Sequence, residues 1–181
     1  MAASILQEHF FKNKFAECID FASQIKKSHY GIEYIYLALS ALKLNNHQLV
    51  KDCFVKIQRD LIGKTPPRVL EQLINRSRVI PELRDNLLVL VQALSRRFDK
   101  TYWLHKQLSH VFESLNRINE SYLAIKMAEH LNPRDYWVFR SYCLLSLKTS
   151  HIDELKKSLD ENEIKFDFLP QIRDELHKQN V

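Results

Sequence analysis

A short polar break followed by an apolar residue recurs five times along the chain. The runs are Lys12-Asn13-Lys14-Phe15, Asn45-Asn46-His47-Gln48-Leu49, Pro81-Glu82-Leu83, Asn116-Arg117-Ile118 and Ser150-His151-Ile152. Their apolar members, Phe15, Leu49, Leu83, Ile118 and Ile152, stand 34, 34, 35 and 34 residues apart. A fixed interval of roughly 20 to 50 residues marks a chain built by repeating one supersecondary unit. A second set of breaks falls between the first: Ser28 to Gly31, Gly63 to Pro67, Asp99 to Thr101, Asn132 to Pro133 and Phe168 to Pro170. Two breaks per period imply two elements per unit.

Those elements are helices. The chain of 181 residues holds only 2 glycines, which leaves few of the tight turns and phosphate loops that sheets and nucleotide sites use. Proline is costly inside a helix and tolerated in its first turn, and Pro66, Pro67, Pro81, Pro133 and Pro170 all fall at expected helix starts. The spacing predicts helices over 2–11, 15–27, 31–44, 47–61, 67–78, 81–97, 101–115, 119–131, 134–148, 151–160 and 169–179. Apolar residues recur three and four apart within them, as in Leu104, Leu108, Val111, Phe112 and Leu115 or Leu83, Leu87, Leu90, Val91 and Leu94, so each helix has one face to bury. Helices this short are marginal alone and gain their stability by packing on neighbouring pairs.

The stretch Tyr102 to Pro133 resembles a tetratricopeptide repeat (TPR). Leu108 and Ser109 match its apolar and small pair, Phe112 its aromatic, and Ile118 the opening of its second helix. Ser121 and Ala128 match its small positions and Pro133 its close, whereas His105 stands where the family commonly has tryptophan. The resemblance implies an all-α, right-handed α-solenoid of about five antiparallel helix pairs plus a C-terminal capping helix, in a single domain over 1–181. The approximate repeats are 1–32, 33–66, 67–101, 102–135 and 136–166, with the cap at 167–181.

In TPR stacks the first helix of each pair lines the concave groove. The resemblance therefore implies groove faces made of Tyr34, Leu37 and Ala41, then Arg68, Glu71 and Asn75, then Trp103, Lys106 and His110, then Trp137, Arg140 and Leu144. Residues three and four apart share a helical face, and aromatic and arginine side chains are the usual anchors of binding hot spots. The competing reading has both tryptophans packed between repeats with the cations lying over them. The clamp by which some TPR proteins hold a chaperone's carboxylate tail is not recognisable, because Glu71, Gln107 and Trp137 replace key members.

The charge is uneven. The formal net charge is +5, from 27 basic and 22 acidic residues. Lys64 to Lys100 carries eight basic residues (Lys64, Arg68, Arg76, Arg78, Arg84, Arg96, Arg97, Lys100) against four acidic ones (Glu71, Glu82, Asp85, Asp99), leaving nineteen against eighteen elsewhere. Arg76, Arg78, Arg84, Arg96 and Arg97 thus form a candidate basic flank for an acidic protein segment, nucleic acid or an anionic membrane surface; the alternative is an ordinary solvated face.

Catalytic chemistry finds no footing. His105 and His110 are five apart and do not share the face that a metal-binding pair needs. No nucleophile motif or glycine-rich phosphate loop is present, and no metal or cofactor is implied. Cys18, Cys53 and Cys143 are odd in number and widely separated, which suits small core residues in a reducing cytoplasm. MAASILQEHFFKNK lacks the basic start and apolar run of a secretory signal, and no stretch is long and apolar enough for a membrane span.

The function these features imply is a protein-interaction scaffold or adaptor within a multiprotein assembly, holding a partner segment or helix in the groove or on the basic flank. Ile5, Leu6, Phe10 and Phe11 have no preceding repeat to cover them and suggest a homodimer through the N-terminal repeat. Two alternatives stand beside the scaffold. One is a chaperone for an exported protein, as in short TPR secretion chaperones, which tend to be acidic. The other is a single-stranded RNA binder like the pentatricopeptide repeats, although no recurring polar pair supplies a base-reading code.

Overall fold

The computed structural model describes residues 2–24, 31–63, 66–161 and 166–179. Eleven helices are described: α1 (Ala2–Phe11), α2 (Phe15–Ser23), α3 (Ile32–Lys43), α4 (His47–Asp60), α5 (Val69–Arg78), α6 (Arg84–Arg97), α7 (Tyr102–Ser114), α8 (Ile118–Leu131), α9 (Tyr136–Lys148), α10 (Ile152–Glu161) and α11 (Leu169–Gln179). No strand occurs among the described residues. The predicted helices match within a residue or two, with two exceptions. The third turn holds a short 3-10 turn, Pro81–Leu83, before α6 begins. The expected end of the second helix at 25–27 lies outside the described residues, as do most of the Ser28 to Gly31 break and part of the Gly63 to Pro67 break.

The recurring polar breaks are one backbone device used four times. Asn13, Asn45, Asn116 and Ser150 have φ of 58°, 55°, 57° and 60°, the left-handed conformation that ends a helix. Around each, two hydrogen bonds cross the helix end. At α3 the Asn46 N–H donates to the Ala41 carbonyl and the Asn45 N–H to Leu42. At α7, Arg117 donates to Phe112 and Asn116 to Glu113; at α9, His151 donates to Ser146 and Ser150 to Leu147. Lys14 and Asn13 do the same to His9 and Phe10 after α1. Each pair is a Schellman motif, which satisfies carbonyls a helix end would otherwise leave open. The third turn departs because Pro81 stands where the second donor would be and has no N–H to give. Its predecessor Ile80 is extended at φ −97°, ψ 110°, as the residue before proline prefers.

The chain packs as two compact units, Met1–Asp99 and Lys100–Val181. In the first, α3 is central, with α1, α2, α4 and α5 all against it. Its sequence, IEYIYLALSALK, is apolar on nearly every side, the pattern of a helix surrounded by others. Leu6 and Phe10 are buried in this unit, Phe10 against the rings of Phe15 and Tyr36 at 5.7 and 6.0 Å, while Phe11 stays exposed. The apolar face of α1 that suggested a dimer is therefore mostly covered within its own unit.

In the second unit α7 and α8 pack closely at two small residues. The Ser109 and Ser121 hydroxyl oxygens lie 2.8 Å apart, and Ser121 Oγ donates to the Ser109 carbonyl at 3.0 Å. Side chains this small let two helix backbones approach, as the TPR resemblance implies. The remaining core joins Tyr122, Ile125 and Ala128 to Val138, Phe139 and Tyr142, with Leu155, Phe168 and Ile172 closing it. All three cysteines are free and buried. Burial pushes the Cys53 and Cys143 thiols up to about 12 and raises Cys18 as well. That is core packing rather than thiolate chemistry. Among the described residues no helix is long and apolar enough to cross a membrane.

Candidate functional site

In the N-terminal unit the expected groove residues do not form a continuous open face. Leu37 and Ala41 are buried among the helices around α3, which removes Leu37 from the contact surface. Tyr34 is half-buried under Lys56 of α4, whose Nζ lies 5.2 Å from the ring centroid. Arg68, just before α5, pairs with Glu71 of that helix at 3.4 Å, and Asn75 is exposed.

The basic flank also divides. Arg84 Nε donates to the Arg78 carbonyl at 3.2 Å, closing the end of α5. Arg97 donates to the Leu61 carbonyl at 2.8 Å and to the Gln58 carbonyl at 2.7 Å, a two-pronged cap on the C-terminus of α4. Cations at helix C-termini complement the negative end of the helix dipole, so Arg84 and Arg97 have structural employment. Arg76, Arg78 and Arg84 sit at one end of α6 and Arg96 and Arg97 at the other. Across the 14 residues of that helix the ends lie about 20 Å apart. The five arginines are two small groups rather than one patch.

In the C-terminal unit the two tryptophans part company. Trp103 is 5% exposed and belongs to the core, while Lys106 and His110 are half-buried. Trp137 is 62% exposed, and Arg140 and Leu144 lie open with it. These three occupy one face of α9, opposite the face that buries Val138, Phe139, Tyr142 and Cys143.

Local structure fixes that face. Asp135 Oδ1 accepts from the Val138 N–H at 3.0 Å and caps α9. The Tyr136 ring meets Trp137 edge-on, 5.0 Å between centroids and 82° between planes, and meets Phe166 and Phe168 in the same manner at 5.5 and 5.2 Å. Desolvation, and then a hydrogen bond to the Asp167 carboxylate, push the Tyr136 phenol up. Trp137 thus projects from a braced aromatic cluster. Sequence reasoning missed Tyr136 and Phe166; the signal was there in the adjacency of Tyr136 and Trp137 and in the aromatic residues at 166 and 168.

Neither a family model nor a curated protein sequence matches the chain. Solved structures do. A MamA RS-1 double mutant aligns with a TM-score of 0.59 and 11% identity over 99% of this chain and 94% of that one. MamA from residue 41 to its end, from Desulfovibrio magneticus RS-1, gives 0.58 and 10% over 99% and 96%. MamA AMB-1 gives 0.57 and 14% over 94% of each chain. The likeness shows the fold. It is a TPR-like helical solenoid, matched at identities where side chains carry no information about a shared site. Within a TPR-like arrangement α7 and α9 are first helices of their pairs, and of these two only α9 has an exposed aromatic among the expected groove residues.

Proposed function

We propose that this chain is a non-catalytic protein-interaction scaffold whose main anchor is the Trp137, Arg140 and Leu144 face of α9, and that it acts as a subunit of a multiprotein assembly. The observation that carries the reading is Trp137, 62% exposed on a helix that packs Phe139 and Tyr142 away. A large ring held in place by Tyr136 loses little freedom on binding, and such rings dominate hot spots. Arg140 beside it suits a partner segment that brings an apolar side chain and a carboxylate together. The three free, buried cysteines suit a cytoplasmic setting. Among the described residues, the split of the five flank arginines leaves the single-stranded RNA reading without one continuous basic patch there.

The test is affinity capture from the source cell with the full chain, compared among the wild type, Trp137→Ala, Arg140→Glu and the control Val55→Ala, whose side chain is exposed on α4. Expected is a stoichiometric partner retained by the wild type and control and lost from the two α9 variants. Retention of every partner by both α9 variants refutes the anchor; loss of the partners on nuclease treatment supports RNA instead.

A further inference from the structure

The second helices of the last two pairs, α8 and α10, are bridged near the start of α10. Tyr122 Oη donates to Glu154 at 2.7 Å, Lys126 Nζ donates to the same carboxylate, and the Tyr122 ring stacks on His151 with centroids 4.0 Å apart. Beside this bridge lies a cleft of about 890 Å³, walled by α8 and α10, with Tyr142 of α9 among its lining residues. That volume falls within the range of roughly 300 to 1,000 Å³ typical of ligand sites. None of the features that define the α9 anchor enters it: Tyr142 is five residues from Trp137, about 140° around the helix.

The walls of the cleft have definite chemistry. Leu123 and Met127 are 63% and 46% exposed and sit one turn apart on α8, a pair of apolar side chains facing one way. Glu129, turned well away from that pair around α8, is half-buried and lines the same cleft. Its carboxylate has no hydrogen bond among the described residues, and desolvation raises its carboxyl, with the charges of His130 and Lys126 pulling it only partly back. Lys126 is held by Glu154, and Lys157 on the opposite wall has interactions of its own. The acid left to meet a newcomer is Glu129.

We propose that this cleft is the docking site for an amphipathic helix of a partner protein, one that lays two apolar residues a turn apart over Leu123 and Met127 and sets a lysine or arginine against Glu129. A trough between two helices with an aromatic residue in its lining is shaped for a third helix, whose ridge of side chains fills the groove between two others. Charge complementarity fixes the chemistry of the partner, because a cation supplies the interaction that a half-desolvated carboxylate lacks.

The probe is a displayed library of helical peptides of about 16 residues, long enough for four turns, selected on the full chain. The selected sequences are then synthesised and their binding measured by titration. The chain contains 2 methionines, Met1 and Met127, so a methyl-13C-methionine spectrum carries a ready reporter of the cleft. The expected peptides carry an apolar pair at i and i+4 with a basic residue nearby, and they shift the Met127 methyl signal. Expected too is binding weakened at least tenfold by Glu129→Gln and by Leu123→Asp, and unchanged by Trp137→Ala, which separates this site from the α9 anchor. Peptides that bind without moving Met127, that are acidic, or that lose less than twofold in affinity with Glu129→Gln overturn the proposal.

Discussion

Replacing Gly31 by alanine probes a joint where three helices of the N-terminal unit converge. Gly31 precedes α3 with φ of 73°, and a Cβ built there would lie 2.6 Å from the Leu61 amide nitrogen, 2.7 Å from the Asp60 carbonyl carbon and 2.7 Å from Leu61 Cα. All three are backbone atoms at the end of α4, and ordinary contact begins near 3.4 Å. The end of α4 must therefore retreat by most of an ångström. It is not free to do so, because Arg97 holds the Leu61 and Gln58 carbonyls in place. The left-handed conformation costs an alanine roughly 1–2 kcal/mol, and forcing extra volume into a packed site costs roughly 1–3 kcal/mol. The expected destabilisation is their sum, roughly 2–5 kcal/mol. For a chain of this length each kcal/mol moves Tm by roughly 2–4 °C, so Tm should fall by about 4–20 °C. Thermal and urea unfolding followed by far-ultraviolet circular dichroism measure both quantities. A Gly31→Ala chain within about 0.5 kcal/mol of wild type, the range of an innocuous surface change, would refute the account of this joint.

Ser150→Gly should act in the opposite direction, because Ser150 pays a left-handed cost at φ 60° that glycine avoids; a gain of roughly 1 kcal/mol in the same unfolding assay is expected. Arg97→Ala should lose roughly 1–3 kcal/mol by leaving two α4 carbonyls without their charged donor, and Arg97→Lys should recover only part of it, since an ammonium lacks the fork. The pH dependence should divide at the α8 and α10 bridge. Glu154 is held below its usual value by hydrogen bonds from Lys126 and Tyr122, so its contribution is complete above the unfolded pKa near 4.5 and is lost as pH falls through the depressed folded value. Glu154→Gln should therefore lower Tm at pH 7 and flatten the decline of Tm below about pH 4.5; an unchanged acid limb would count against the bridge.

The fold was legible because its turns obey a local rule. A left-handed residue after a helix is tolerated by asparagine and less readily by serine, so the breaks at Asn13, Asn45, Asn116 and Ser150 announce themselves in a chain with almost no glycine. Their period then gives the helix pairs without any knowledge of packing. The groove register did not follow so easily, since which face of a first helix looks outward depends on how many neighbours it has. Leu37 illustrates this. The groove register expects α3 to be open on one side, although Ile35, Tyr36, Ala38 and Leu39 surround Leu37 with apolar residues at every angle. An all-round apolar helix is a surrounded helix, and that reading was available in the sequence.

The two tryptophans show what decides exposure where the helix is amphipathic. At about 100° per residue, the buried positions of α7 centre near Leu104, Val111 and Leu108, and Trp103 falls roughly 110° from that centre, at the margin of the stripe. A ring of that size at a margin can fold its body onto apolar neighbours, and Trp103 is buried. On α9 the buried positions centre between Val138 and Phe139 and around Tyr142, so Trp137 points about 150° away from them. No rotamer carries a side chain from there to its own helix's core side, and the ring remains in solvent. The shared aromatic-then-cation spacing of Trp103 with Lys106 and Trp137 with Arg140 conceals this difference, because it records where the residues stand relative to each other and not to the apolar stripe. Angle to the apolar stripe separates an exposed ring from a core residue, and by that measure Trp137 is the exposed one of the two.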